Sequence, residues 1–205
     1  MKKIFFLITI FSFSAFLPAQ INDYPLVKDP SSSLMNVPAG WILTGTNVKD
    51  YETGIDNNER MSGTSSGYLK SSSAKPLGYA TLLQEIKADN YRGERIRLSV
   101  FAKTKLLSDW AAIWMKVEDQ YRRILSFDNM QNRLLVGTSD WKKIEIVLDV
   151  PFNSEVITYG ATLSGKGQIW FDDIKILTVT KETALTDMLI SEEKKFYPVN
   201  PDFEE

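Results

Sequence analysis

Histidine and cysteine are both absent from the 205-residue chain. The first absence removes the commonest general base and the commonest metal ligand, and with them any Ser-His-Asp hydrolytic triad. The second removes disulfides, thiolate nucleophiles and thiol attachment of lipid. Zinc, which rarely accepts carboxylates alone, loses its usual partners; calcium, held by oxygen ligands, stays open. An excess of charge of one sign is lacking too, since 24 basic residues stand against 26 acidic ones for a net of -2. That balance offers no electrostatic footprint for nucleic acid and no polybasic membrane patch. What remains is ordinary globular material, 43% hydrophobic and 24% charged, in a length that suits one domain with flanking segments.

The flanks differ from the middle. Lys2 and Lys3 precede an apolar run from Ile4 to Leu17, followed by Leu17-Pro18-Ala19-Gln20. This is the layout of a secretory signal peptide over 1–19, and the run is shorter than the ~20 residues that cross a bilayer. Its removal takes away two positive charges and leaves an acidic, exported chain, periplasmic or extracellular, with no membrane span after cleavage. Residues 20–36, with Pro25, Pro30 and Ser31-Ser32-Ser33, read as a linker or arm. Residues 180–205 form an acidic tail in which Thr183 to Lys194 has the apolar spacing of a short helix, stopped by Pro198 and Pro201.

Between them, over 37–179, the period is two. Ile96, Leu98 and Val100 alternate with polar neighbours, as do Ile113, Met115 and Val117, then Ile144, Ile146, Leu148 and Val150. Tyr159, Ala161 and Leu163 follow the same pattern. Such segments are half-buried strands, and turn signals such as Gly137-Thr138-Ser139-Asp140 and Gly165-Lys166-Gly167 separate them. No helical segment interrupts the domain, so the layer covering each sheet must be another sheet. The expectation is an all-β fold, an antiparallel β-sandwich of jelly-roll type.

Two features single out side chains. In Ile169 to Leu177 the core parity changes at Asp172-Asp173, which predicts a bulge or a crossing between sheets there. In Ser108 to Val117 the core parity belongs to Ala111, Ile113, Met115 and Val117, so Trp110 and Trp114 point away from the core. Four residues apart on a strand, the two indoles lie ~13 Å from each other, a span of two or three sugar rings. The corresponding face of the segment ending at Leu163 carries only Thr158, Gly160, Thr162 and Ser164. Aromatic walls beside a small floor suit a sugar, with Gln84, Asn129 and Arg97 as expected hydrogen-bonding groups.

The blocks Gly40-Trp41, Asp50-Tyr51-Glu52-Thr53-Gly54-Ile55-Asp56, Gly78-Tyr79-Ala80-Thr81-Leu82-Leu83-Gln84 and Trp110-Ala111-Ala112-Ile113-Trp114-Met115 resemble a bacterial, export-associated sandwich domain. Phe127-Asp128-Asn129-Met130, Gly137-Thr138-Ser139-Asp140-Trp141 and Ile169-Trp170-Phe171-Asp172-Asp173-Ile174 continue the likeness. That domain occurs alone or attached to arabinose-activator-type regulators and erythromycin-esterase-like proteins. More distantly it is similar to the galactose-binding-like jelly rolls that serve as carbohydrate-binding modules. The resemblance implies no catalytic residue. It does imply a structural calcium where the last strand meets the opening segment, drawing on Glu52 or Asp56 with Asp172 or Asp173.

The expected function is an exported, non-catalytic binding domain, with a glycan as partner on a concave sheet face. The alternative is a cell-envelope module that contacts another protein without binding sugar. A small hydrolase ranks below both, because Glu85, Asp109, Glu118, Asp128 and Asp149 cannot be paired from sequence into the two facing carboxylates a glycosidase needs.

Overall fold

The structure, a computed structural model, describes residues 36–189. The expected leader, nearly all of the arm and the tail beyond 189 lie outside the described residues. Nine strands make up the domain: β1 (Ile42–Gly45), β2 (Tyr51–Asp56), β3 (Ser66–Ser71), β4 (Tyr79–Lys87), β5 (Arg95–Asp119), β6 (Ile124–Asp128), β7 (Leu135–Asp149), β8 (Ser154–Ser164) and β9 (Gln168–Val179). All their pairings are antiparallel. The only helical pieces among the described residues are single 3-10 turns at Val48–Asp50 and Asp89–Tyr91.

The sandwich turns on β5, which is 25 residues long. Its first part, Arg95 to Lys105, lies between β7 and β9, and β9 continues outward to β3 and β2. Its last part, Trp110 to Asp119, lies between β8 and β6, and β8 continues to β4 and β1. One strand therefore belongs to both layers, and the jelly roll expected from the alternation is the fold observed. The strand changes layer near Leu106, whose φ of 54° is a left-handed conformation rare for leucine and costs of order 1–3 kcal/mol. A hydrogen bond from the Leu106 amide to Thr138 Oγ1 (2.9 Å) holds it. Gly167 packs against the same bend: a Cβ there would come within 2.8 Å of the Leu106 carbonyl oxygen and of Leu107 Cα.

The core lies where the period of two places it. Ile96, Leu98, Val100, Ile113, Met115 and Val117 of β5 are all buried, with Ile144, Ile146 and Leu148 of β7 and Ile157, Ala161 and Leu163 of β8 against them. Each large aliphatic side chain so buried contributes about 1.5–3 kcal/mol. In β9 the inward set changes from Ile169 and Phe171 to Ile174 and Ile176. Asp173 takes φ 53° there, and the β5–β9 register shifts between Ser99 and Phe101. The parity change in the sequence is a bulge.

The tail departs from its expectation. Over 183–189 no helix forms; the chain runs as a strap along two sheet edges. Thr186 donates its amide to Val147 O (3.0 Å), and the Val147 amide donates to Thr186 Oγ1 (2.9 Å). Met188 donates to Phe127 O (2.7 Å), and Asp187 accepts from the Phe127 amide. The strap thus joins β7 of one layer to β6 of the other and satisfies edge groups that would otherwise be free to pair with another chain. Apolar spacing suggested a helix, but these edge hydrogen bonds and the burial of Val147 favour the extended form.

Arg95 anchors the strap. It makes a bidentate pair with Asp149 (2.9 and 3.0 Å) and donates to the carbonyls of Lys181 and Thr183. That guanidinium, joined by Lys181, holds the Asp149 carboxyl below the usual carboxylate range. A depressed value means the stabilisation is complete above the ordinary carboxylate pKa of about 4 and is lost as pH falls through the folded-state value. Asp149→Ala should therefore speed amide hydrogen exchange at Thr186 and Met188 while leaving the β5 core protected. In the unmodified protein, acidification below pH 4 should move the same two amides first; equal loss throughout the domain would show that the strap is not a separate unit.

Candidate functional site

The face of the β4–β8–β5 layer turned away from the core is built by ladder register. Trp110, Ala112, Trp114, Lys116 and Glu118 of β5 stand opposite Ser164, Thr162, Gly160, Thr158 and Val156 of β8. Beyond them β4 contributes Thr81 opposite Thr162, Leu83 opposite Gly160 and Glu85 opposite Thr158. Trp114 is half-buried, and its indole N–H donates to Thr162 Oγ1 at 3.1 Å. Because Trp114 pairs with Gly160, that bond makes the indole lean along the strand toward the next outward position of β8. Gly160 lets β4 close on β8: a Cβ there would lie 2.4 Å from the Leu82 carbonyl oxygen. Thr162 in turn shares a hydrogen bond with Thr81 (2.7 Å). The result is an indole laid along a floor of threonine and glycine.

Polar groups continue the face beyond the indole. Lys116 Nζ meets Glu118 Oε1 at 2.9 Å; Arg122 reaches Glu118 Oε2 at 3.2 Å and Glu85 Oε1 at 2.7 Å. The Glu118 side chain is only 3% exposed, so these two cations are what keep a buried carboxylate satisfied. This cluster was missed in sequence. Glu118 has the parity of Trp114 and could have been placed, but nothing local pairs it with Glu85 and Arg122. The two carboxylates share one guanidinium instead of facing each other across an open cleft.

Of the expected groups, Trp110 and Trp114 stand on this face, Trp110 partly buried and packed against the core. Asn129 follows the end of β6, whose last ladder pair is Met115–Asp128, and its Oδ1 accepts the Gln131 amide. Gln84 is a correction. It has the parity of Ala80 and Leu82, and on the inner side of β4 it accepts a hydrogen bond from the Tyr159 hydroxyl and donates to Gly40 O. Arg97 is another: it belongs to the first half of β5, on the outside of the other layer, 3.6 Å from Glu145. The bend near Leu106 separates it from Trp114, although both are on one strand.

The four carboxylates considered for calcium do not gather. Glu52 pairs with Lys70 (2.7 Å) and Asp173 with Lys175 (2.8 Å). Asp56 accepts the amides of Asn58 and Glu59 and the Trp170 indole N–H (2.8 Å), which holds its carboxyl below the ordinary range. Asp172 accepts the amides of Met61, Ser62 and Asp173. Among the described residues no three metal-ligating side chains form a group, and the set does not fit the ion. Gly63-Thr64-Ser65-Ser66-Gly67 has nucleophile-elbow spacing. It opens in the β2–β3 loop, with no following helix and no histidine in the chain, so the strand–turn–helix that such a nucleophile needs is missing.

No protein-family model matches the chain. It is 44% identical over 179 residues to a Bacillus subtilis (strain 168) protein named as the uncharacterized HTH-type transcriptional regulator YbfP, a match covering 87% of this chain. The chain spans 61% of the length of that relative. Among solved structures, the enzymatically active domain of tailspike protein 4 of bacteriophage CBA120 superposes with a TM-score of 0.52 at 16% identity, over 72% of this chain and 20% of that one. A xylan-binding domain of the CBM 22 class gives a TM-score of 0.48 at 12% identity, over 68% and 87%. At these identities the likeness concerns the fold. No helix among the described residues is long and apolar enough to cross a membrane.

Two outcomes follow from the geometry. Gly160→Ala should destabilise the domain by about 1–3 kcal/mol, because the new methyl meets fixed backbone; chemical denaturation measures this, and an unchanged midpoint would show that β4 and β8 can separate. Calorimetric melting with calcium and then with chelator should give coincident midpoints for the full chain, since its candidate ligands already have partners.

Proposed function

We propose that the domain binds a carbohydrate without altering it chemically, on the β4–β8–β5 face with Trp114 as the stacking platform. The observation that carries this reading is the Trp114 indole, half-buried and tied to Thr162 across bare backbone at Gly160. A pyranose offers an apolar C–H face to such a ring and hydroxyls to polar neighbours. Lys116 and the Arg122–Glu85–Glu118 group stand along the same face, and Trp110 lies ~13 Å from Trp114 by strand rise. The ligand is therefore a chain of two or three sugars rather than a single ring.

The same residues support binding without catalysis. The chain holds no histidine, and Glu85 and Glu118 are both engaged by Arg122. The leader-like segment 1–19 supports the reading of an exported domain, which would meet glycans outside the cytoplasm. In YbfP the shared span would then be the ligand-sensing part of that protein.

Affinity electrophoresis through soluble polysaccharides tests the proposal. Trp114→Ala should keep its melting cooperativity and lose about tenfold or more in retention, the scale of one lost aromatic contact. Trp110→Ala should lose less, because its ring already packs on the core. Retention unaffected by Trp114→Ala, or no retention of the unmodified protein by any glycan, leaves the envelope-protein contact as the reading to pursue.

A further inference from the structure

The two layers are closed by the strap along β6 and β7, but at the opposite edges, β1 and β2, they stand apart. A cavity of about 290 Å³ opens there, lined by Trp41, Ile55, Leu82, Phe171, Ile174 and Asp172 among others. Trp41 is its inner wall. Its ring meets Tyr159 edge-on at 6.0 Å and lies tilted against Phe171 at 5.6 Å. Ile55 stands at the mouth, 59% exposed, an unusual state for an isoleucine of a strand whose neighbours Tyr51 and Thr53 are buried.

The charge on this lining has one sign. Asp172 and Asp173 both border the cavity, and no lysine or arginine does. Asp173 has Lys175 beside it. Asp172 has three backbone amides, at 2.7 to 3.0 Å, and no cationic side chain among the described residues. The bulge at Asp172-Asp173 is what turns this carboxylate-bearing stretch to the cavity rim, between inward Phe171 and inward Ile174. A sugar is a poor occupant: hydroxyls on every side of its ring would meet apolar walls without partners. A ring-sized apolar body would fill the space between Trp41, Leu82 and Ile174, and one positive group would complement Asp172.

We propose that this cleft is a second ligand site, which takes a small molecule with an apolar ring and a single ammonium group. It lies between the layers, on the other side of the β4–β8–β5 sheet from Trp114, and it does not depend on the glycan reading. The probe is phenethylamine, titrated into the full chain and followed by methyl-resolved NMR, with phenylacetate as the same body bearing the opposite charge. Phenethylamine should shift the methyl signals of Ile55, Leu82 and Ile174 and saturate, whereas phenylacetate should bind at least about tenfold more weakly. Asp172→Asn, which keeps an oxygen for the Met61 and Ser62 amides, should cost about tenfold for the amine and nothing for phenylacetate. Ile55→Trp, a change at the exposed mouth, should abolish the shifts with the melting midpoint retained. Equal binding of the two probes, shifts that do not report from these methyls, or no saturable shift in the full chain would overturn the proposal. Polysaccharide retention by Ile55→Trp should remain that of the unmodified protein, which separates failure here from failure at Trp114.

Discussion

Strand β5 makes ladder hydrogen bonds on both edges along most of its 25 residues, with β7 and β9 beside its first half and β8 and β6 beside its second. Because one continuous backbone belongs to both layers, neither sheet can slip in register without dragging the other. A shift of one residue would turn every inward side chain outward, so Ile96, Leu98, Val100, Ile113, Met115 and Val117 together lock both sheets at once. The strained φ of Leu106 and the glycine pressed against it at 167 are local costs of that arrangement. They are offset by a core that spans both halves of the strand.

That constraint also decides what the surface presents. With the second half of β5 fixed against β8, Trp114 has to face Gly160, and its indole has to find Thr162. Polar groups on the same face are then satisfied in series: buried Thr162 by Thr81, buried Glu118 by Lys116 and Arg122, and half-buried Glu85 by Arg122. The side chains of this face are thus held by one another, so less would have to be ordered if a ligand docked there.

The two long edges of the sandwich are treated differently. At β6 and β7 the strap of 181–189 takes up edge hydrogen bonds, held by Arg95 between Asp149 and two strap carbonyls. At β1 and β2 the layers diverge around Trp41, and the bulge of β9 brings Asp172 to the opening. One edge is sealed by backbone pairing, and the other keeps an aromatic cleft with an unbalanced carboxylate.

Much of this was legible in the chain. The alternation of apolar residues showed an all-β domain, gave Trp110 and Trp114 the parity opposite to Ile113 and Met115, and put a bulge at Asp172-Asp173. The parity of Ala80, Leu82 and Gln84 likewise sets Gln84 inward. These are local properties, because successive side chains of a strand point to opposite faces whatever its neighbours are. Tertiary structure alone decided that β5 serves both layers, that Arg97 and Trp114 of one strand lie on different sheets, that Glu85 meets Arg122, and that the four acids considered for calcium are dispersed. Which strands become neighbours is a matter of long-range pairing, and a period of two carries no information about it.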